Sequence, residues 1–231
     1  MKFKNKLISG RFKKRYKRFF VDVKINSQVI TAHCPNTGSM FGLLKESNKV
    51  WLSKSNNPNR KLKYTLEIIE DNKSKVGVNT HLTNKIVLHA LQNNLIKDFN
   101  GVLEIKPEVK FGPNTRFDFL LKDKKTKTFL EVKNVTLSRK KDIAEFPDAV
   151  TTRGLKHITE LLKASKKGYK IFILYLIQRD DCKSFRIAKD IDPDYANALV
   201  KAVKKKLNIL CYDCKFSSKG IKLNNKIKLI K

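Results

Sequence analysis

The chain has 231 residues, of which 41% are hydrophobic, and its 51 Lys and Arg against 21 Asp and Glu give a net charge of +30. This length and apolar content are enough for one large packed domain or two modest ones, so extensive disorder is excluded. So many like charges repel one another in a compact fold, which favours binding to a polyanionic partner. The alternative explanation of the charge is a solvated, lysine-rich surface without a partner.

No segment of the sequence is typical of membrane insertion or export. The longest apolar run, 171–177, is far shorter than the roughly 18 residues that a membrane helix needs. The basic start is not followed by the apolar stretch of a signal peptide. We therefore predict a cytoplasmic protein that does not contact a membrane and keeps its four cysteines reduced, with nucleoid association and a homodimer left open.

The first third of the chain consists of short strand patterns separated by turn residues. Alternation predicts a strand over 17–25 that places Phe19, Val21 and Val23 on one face. Further strands are predicted over 29–34, around 50–52, over 62–70 and over 75–78, the last two joined by a hairpin turn at 71–74. About five short strands without a long helix predict a small β-barrel of the oligonucleotide-binding (OB) type over residues 1–80.

This first part also carries the denser positive charge, with 18 basic and 5 acidic residues. Aromatic rings interleaved with basic side chains contact both the bases and the phosphates of nucleic acid. The predicted nucleic-acid-binding residues here are Lys14, Arg15, Tyr16, Lys17 and Arg18. Phe19 is assigned to the barrel core and Tyr16 to the surface. The loop 35–40 is either a phosphate-binding loop or a structural turn.

From residue 81 onward, helix and strand patterns alternate, which predicts an α/β domain over 81–231 with a mixed central sheet. Apolar residues at helical spacing after Thr83 predict the first helix. The other predicted elements are strands over 101–109, 116–122, 128–135, 170–177, 208–215 and 221–230, and helices over 149–166 and 193–206.

Two of these strands, 116–122 and 128–135, bring charged residues together. A turn centred on 124–125 places Asp118 opposite Glu131, and Lys133 shares a face with Glu131 because side chains alternate along a strand. Facing carboxylates repel each other, which raises at least one pKa unless a cation lies between them. A hard divalent ion would supply the positive charge between the two carboxylates. The alternative is that Asp118, Glu131 and Lys133 form a ladder of ion pairs on the surface of the sheet.

These residues resemble two known groups. Asp118 followed by Glu131, Val132 and Lys133 resembles the core motif of the PD-(D/E)XK nuclease superfamily. Nearly the whole chain is similar to the sugar fermentation stimulation protein A family. The stretches that carry this similarity are RYKRF at 15–19, TAHCPNTGSM at 31–40, VWLS at 50–53, VGVNT at 76–80, EVKNVTL at 131–137 and FPDAVT at 146–151.

The resemblance implies an OB-type barrel followed by a nuclease-like α/β domain, DNA binding, and a link to the regulation of sugar metabolism. It implies that Mg²⁺ or Mn²⁺ is held by Asp118, Glu131 and the Val132 carbonyl. The catalytic residues that it implies are Asp118, Glu131, Lys133 and Gln178. In this family the first helix carries a glutamate where the chain has His89, so His89 is expected either to alter metal binding or to be structural.

Arg153 and His157 lie four residues apart on one helix face and are predicted either to bind phosphate or to pack structurally. The preferred interpretation is a DNA-binding protein with a divalent-metal-dependent, nuclease-like site. The alternatives are a non-catalytic DNA-binding transcriptional regulator that retains the nuclease fold, and an RNA-processing protein.

Overall fold

Alternating apolar residues fold the first part of the chain into a closed barrel in the computed structural model, which describes residues 1–230. Its strands are β1 (Ile8–Tyr16), β2 (Phe20–Ile25), β3 (Gln28–His33), β4 (Lys49–Lys54), β5 (Tyr64–Asp71) and β6 (Ser74–Gly77). The strand order is β3-β2-β1-β4-β5-β6, and a bridge between His33 and Thr65 joins β3 to β5. This pairing closes the predicted OB-type barrel.

The start of the barrel differs from the prediction. Lys17 and Arg18 adopt left-handed backbone angles in the turn between β1 and β2. The turn interrupts the alternation, so Phe19 is 44% exposed and its assignment to the core is wrong. Phe12 of β1 fills that core instead. The sequence pattern misses β1 because Phe12 is the one fully buried residue along it.

The second part of the chain contains a six-stranded sheet and a smaller four-stranded one. The elements are α1 (Thr83–Gln92), β7 (Glu104–Lys110), β8 (Arg116–Lys122), β9 (Lys127–Val135), β10 (Leu137–Lys140), β11 (Ile143–Phe146), α2 (Thr152–Lys166), β12 (Lys170–Ile177), β13 (Ser184–Ile187), α3 (Pro193–Lys204), β14 (Leu207–Ser217), β15 (Gly220–Lys226) and β16 (Lys228–Leu229). The large sheet has the order β15-β14-β12-β9-β8-β7. Since β12 runs parallel to β9 and β14 while the other pairs are antiparallel, the predicted mixed α/β domain is confirmed.

Helices cover both faces of the large sheet. One apolar cluster joins the sheet to α1, and a second joins its opposite face to α2 and α3. The side chain of Thr151 accepts a hydrogen bond from the amide of Gly154 and begins α2, and Asp192 caps α3 in the same way. Three strands of the four-stranded sheet, β10, β11 and β13, were outside the prediction because strands of four residues carry too little alternation. The fourth strand, β16, lies within the predicted strand 221–230 but pairs with β13.

The two domains touch at several points. The amino-terminal residues 1–5 lie outside the barrel, and the Phe3 amide donates to the Lys219 carbonyl of the second domain at 2.9 Å. On another side, the Gly77 amide of β6 donates to the carbonyl of Gln178 at 2.8 Å. Among residues 1–230, no helix combines the length and apolar character needed to cross a membrane.

Candidate functional site

Asp118 and Glu131 occupy facing positions on β8 and β9. The two strands pair from Phe119 opposite Leu130 to Lys122 opposite Lys127, and the same register extended by one residue places Asp118 opposite Glu131. The turn at 124–125 and the pairing of 119–122 with 127–130 are therefore as predicted, and Glu131 is close enough for its charge to act on Asp118. The alternation of side chains between the two faces of the sheet is interrupted at Asp118, since Phe117 and Phe119 pack in clusters on opposite faces.

Both carboxylate oxygens of Asp118 accept hydrogen bonds. The side-chain amide of Asn84 in α1 donates to Oδ1, and the backbone amide of Val132 donates to Oδ2, each at 2.7 Å. The N–H and C=O groups of one strand residue point to the same edge, so the Val132 carbonyl also faces the β8 side. A carboxylate and a backbone carbonyl thus lie at one edge of β9.

Glu131 is buried, with 2% of its surface exposed. Its Oε1 accepts a hydrogen bond from Lys133 Nζ at 2.8 Å and is also hydrogen-bonded to Nδ1 of His157. Its Oε2 is buried without a hydrogen-bond partner. Glu131 and Lys133 therefore share a face, as predicted, and one carboxylate oxygen remains available as a ligand.

The two carboxyl groups ionise differently. Burial, and after it the charge of Glu131, raise the pKa of Asp118 to about 6 against the opposing hydrogen bonds from Val132 and Asn84. Burial also opposes ionisation of Glu131, but the cation of Lys133 and the hydrogen bond from His157 outweigh it and lower the pKa of Glu131. The predicted rise of at least one pKa is confirmed, and Asp118 is the group that carries it.

Asp118 should make the fold less stable as the pH rises from about 4 to about 7. Its pKa is about 6 in the folded chain against a usual value of 3.8, so the folded state holds the proton more tightly than the unfolded state across this window. Losing that proton costs up to about 3 kcal/mol. Urea unfolding without divalent ions measures the free energy of unfolding of the wild type and of Asp118→Asn at each pH. The difference between the two proteins should change by up to about 3 kcal/mol between pH about 4 and about 7. A difference that is constant with pH would contradict this assignment.

The oxygen donors of this site fit a hard divalent cation. The unpartnered Oε2 of buried Glu131 lies across the strand pair from Asp118, and the Val132 carbonyl adds a third oxygen. Within residues 1–230, no three acidic, histidine or cysteine side chains converge closely enough to hold an ion by themselves. An ion here would therefore need Asp118, Glu131, the Val132 carbonyl and water.

The residue that α1 contributes to the site is Asn84. His89 is exposed, and its pKa is lowered by partial burial and by the positive charges of the chain amino terminus and Lys2. It therefore lies near the amino-terminal segment, and an effect of His89 on metal binding stays a prediction that this position does not support. Asn84 also lies 3.4 Å from Oε1 of Glu108, the β7 residue that the strand register places opposite Asp118. Sequence reasoning missed Asn84 and Glu108, because their proximity to Asp118 arises only when α1 and β7 pack against β8.

Gln178 lies apart from the carboxylate pair. It is fully buried just after β12, where its side-chain amide donates to Asn134 at 2.6 Å and to Thr83 at 3.1 Å. Among residues 1–230, no hydrogen bond connects Gln178 to Asp118 or Glu131. The structure therefore places Gln178 at the junction with the barrel, and its catalytic role stays a prediction that this geometry does not support.

A basic cleft of about 360 Å³ borders the carboxylate site. Arg153 is exposed along it, whereas His157 is buried and contacts both Glu131 and the edge of Phe117. Arg153 thus lies where the predicted phosphate role requires it, and His157 is a packing and hydrogen-bonding residue. Sequence reasoning missed the other cations of the cleft, although the pairing of β7 with β8 brings two of them together. These cations are Lys110, Arg116 and Lys156.

The barrel places four of the five predicted binding residues on its surface. Lys14, Tyr16, Lys17 and Arg18 are exposed. The guanidinium of Arg15 instead donates to the backbone carbonyls of Arg18, Asn36 and Gly38 and so holds the loop 35–40. The same loop is tied to the second domain through hydrogen bonds from Ser39 to Asp148. Of the two alternatives for this loop, the structural turn is therefore the one observed.

Comparisons with known proteins cover the whole chain. Residues 81–220 match the family model described as "Sugar fermentation stimulation protein RE domain", and residues 14–78 match "SfsA N-terminal OB domain". A sugar fermentation stimulation protein homolog of Pelagibacter ubique is 56% identical over 230 residues, covering 100% of this chain and 99% of the relative. One from Bartonella quintana is 43% identical and covers 99% of each chain. The solved structure of Pyrococcus furiosus SfsA in complex with Ca²⁺ is similar at a TM-score of 0.90 and 24% identity, over 100% of this chain and 98% of that one.

Proposed function

We propose that this chain, which belongs to the sugar fermentation stimulation protein family, binds nucleic acid and prefers DNA to RNA. We further propose that it cleaves phosphodiester bonds with Mg²⁺ or Mn²⁺. The observation that carries the proposal is the pair Asp118 and Glu131, facing each other across β8 and β9 beside a cleft rich in cations. Carboxylates attract the metal, and the cations attract phosphate, so one place in the fold suits both.

The metal part of the proposal draws on the same donor set. The Pyrococcus furiosus SfsA structure is described as a complex with Ca²⁺, and Ca²⁺ and Mg²⁺ both take oxygen ligands. In this chain the oxygens would come from Asp118, Glu131 and the Val132 carbonyl. A bound divalent ion would polarise the scissile phosphate and make a coordinated water more acidic.

The protein's own residues would prepare this reaction. Asn84 fixes Asp118 and His157 fixes Glu131, so both carboxylates are held by hydrogen bonds before an ion arrives. The ammonium of Lys133 lies beside Glu131, where it would orient an attacking water and offset charge on the phosphate. Arg153 and the neighbouring cations of the cleft would hold the phosphates of the bound strand.

The test is cleavage of end-labelled oligonucleotides, single- and double-stranded, as DNA and as RNA, at low salt. We expect cutting with Mg²⁺ or Mn²⁺ and none with EDTA, and competition between the four substrates ranks them. Tight binding without cutting of any substrate by either metal would contradict the catalytic part of the proposal.

Neutralising exposed barrel cations should weaken binding to DNA without unfolding the chain. The triple variant Lys14→Gln, Lys17→Gln, Arg18→Gln removes up to three phosphate contacts. The salt slope, which is the steepness with which log affinity falls against log salt concentration, should then decrease by about 0.9 per contact on duplex DNA and about 0.7 on single strands. Arg15 stays unchanged because it holds the loop 35–40. Fluorescence anisotropy titrations between low and moderate salt measure the slope.

A variant that removes the same charge elsewhere is the control. Lys201, Lys204 and Lys205 are exposed on and after α3, and their replacement by glutamine should leave the slope nearly unchanged. Equal losses in both triple variants would show a diffuse charge effect, and an unchanged slope in the barrel variant would exclude Lys14, Lys17 and Arg18 from the binding surface.

A second candidate function is a DNA-binding regulator that keeps the site as an ion cluster. One observation favours it: Lys133 and His157 already hydrogen-bond Glu131, and both oxygens of Asp118 already have donors. These hydrogen bonds form without a metal. Thermal unfolding separates the two candidates, since a ligand that binds the folded state raises the melting temperature. Melting that Mg²⁺ and Mn²⁺ leave unchanged, together with tight DNA binding, would favour the regulator.

A further inference from the structure

A second and larger cleft, of about 800 Å³, lies where the two domains meet. Its walls come from the amino-terminal residues 1–5, from the end of β4 and the loop that follows it, and from the start of α1. The cleft shares no lining residue with the basic cleft beside Glu131. None of the residues assigned above to metal binding, catalysis or nucleic-acid binding lines it.

The charge of this junction cleft is strongly positive. Its basic lining residues are Lys2, Lys4, Lys54, Arg60 and Lys85. Among residues 1–230, none of these five forms an ion pair with a carboxylate, although the chain has fifteen such pairs elsewhere. The one acidic lining residue, Glu67, is 5% exposed and already accepts hydrogen bonds from Ser53 and Asn79. Unpaired cations around a concave surface focus a positive field, which attracts a polyanion.

An aromatic pair stands at the barrel side of the cleft. His33 of β3 lines the cleft, and its ring stacks on that of Phe19 with 6.5 Å between centroids and 18° between planes. Burial lowers the pKa of His33 below its usual value, and the nearby Arg60 and His81 lower it further, which favours the uncharged ring. The pair therefore presents an aromatic surface, and Phe19 is 44% exposed.

We propose that this junction cleft binds an unpaired segment of nucleic acid a few nucleotides long, with phosphates on its lysines and a base on the Phe19–His33 pair. A cationic groove edged by aromatic rings is the combination that binds single strands. In a duplex each base is covered by its stacked neighbours, so no face is free for Phe19. His33 of β3 and the β4–β5 loop, which line this cleft, lie in the part of an OB barrel that commonly contacts oligonucleotides. The inference rests on the proposed function for its class of ligand and is independent of metal and cleavage.

The test uses the full chain in EDTA, with a labelled 15-nucleotide oligo(dT) and a labelled 20-base-pair duplex. The variant Lys4→Ala, Lys54→Ala, Lys85→Ala removes one exposed lysine from each wall. We expect oligo(dT) affinity at low salt to fall about tenfold or more, and the salt slope to fall by about 2, or about 0.7 for each of three contacts. Phe19→Ala should weaken oligo(dT) binding about fivefold or more, since it removes one stacking platform. Duplex affinity should stay close to that of the wild type in both variants.

The replacement of Lys201, Lys204 and Lys205 by alanine is the matched control, and circular dichroism checks that each variant is folded. Oligo(dT) affinity that the cleft variant leaves unchanged would overturn the inference. Equal losses for oligo(dT) and duplex, or for the cleft and control variants, would also overturn it. If the wild type still binds and cuts duplex with Mg²⁺ or Mn²⁺ in any of these cases, the proposed function stands and only the junction cleft is excluded. A wild type that binds no nucleic acid would overturn both.

Discussion

Replacing Lys133 by alanine should reduce metal-dependent strand cleavage by roughly 10²- to 10⁴-fold, the usual contribution of a positioned proton-transfer or charge-stabilising group. The ammonium of Lys133 lies 2.8 Å from Glu131 and is 12% exposed, so it is held at the carboxylate site rather than in solvent. The oxygens of Asp118, Glu131 and Val132 are unchanged in this variant, and the rise in melting temperature with Mn²⁺ should therefore remain. Single-turnover cleavage and thermal unfolding, each with and without Mn²⁺, measure the two effects.

The control for this variant is Lys127→Ala, which removes an exposed lysine from the same strand, β9. It should cleave within about twofold of the wild type, because an exposed surface charge contributes little. Cleavage by Lys133→Ala at the wild-type rate would remove Lys133 from the mechanism. Loss of the Mn²⁺-dependent rise in melting temperature in this variant would instead show that Lys133 supports the ligands.

Replacing Arg179 by methionine should destabilise the chain by about 3–5 kcal/mol, the usual cost of leaving a buried charge without its partner. Arg179 is 2% exposed and donates to Asp71 of the barrel at 3.0 Å, to Asp181 at 2.7 Å and to the Thr136 carbonyl at 3.0 Å. Methionine keeps much of the side-chain volume but leaves the buried carboxylate of Asp71 without this partner. Urea unfolding, followed by circular dichroism, measures the change.

A surface pair provides the comparison for Arg179. Lys183 and Asp142 approach to 3.4 Å, but the Lys183 side chain is 82% exposed, so Lys183→Met should cost less than about 1 kcal/mol. If Arg179→Met costs no more than Lys183→Met, the link between β5 and the segment after β12 does not contribute to stability, and the contact between the domains is weaker than the hydrogen bonds indicate.

The carboxylate pair could be predicted from the sequence because its geometry is local. Residues 116–135 form two strands and one short turn, and the turn fixes the register that places Asp118 opposite Glu131. Alternation along β9 then places Lys133 on the face of Glu131. Much of the barrel was also predictable, since short apolar stretches between turn residues mark β2, β3, β4 and β5.

The partners of these residues could not be predicted, because tertiary packing brings them from distant parts of the chain. Asn84 reaches Asp118 only when α1 lies on the sheet, and His157 reaches Glu131 only when α2 covers the opposite face. Arg15 has a side chain that commonly binds phosphate, but its guanidinium donates hydrogen bonds to three backbone carbonyls instead. Phe19 fits the alternation of β2, but the left-handed turn before it places it on the surface.

Anomalous diffraction shows whether Asp118 and Glu131 hold a divalent ion that could serve to cleave nucleic acid. Crystals of the chain grown with Mn²⁺ and a short oligonucleotide would locate the ion without relying on its effects. We expect an anomalous peak within bonding distance of Asp118, Glu131 and the Val132 carbonyl, next to a phosphate of the oligonucleotide. Ordered oligonucleotide with no peak at these oxygens, while Mn²⁺ is in excess, would contradict this expectation.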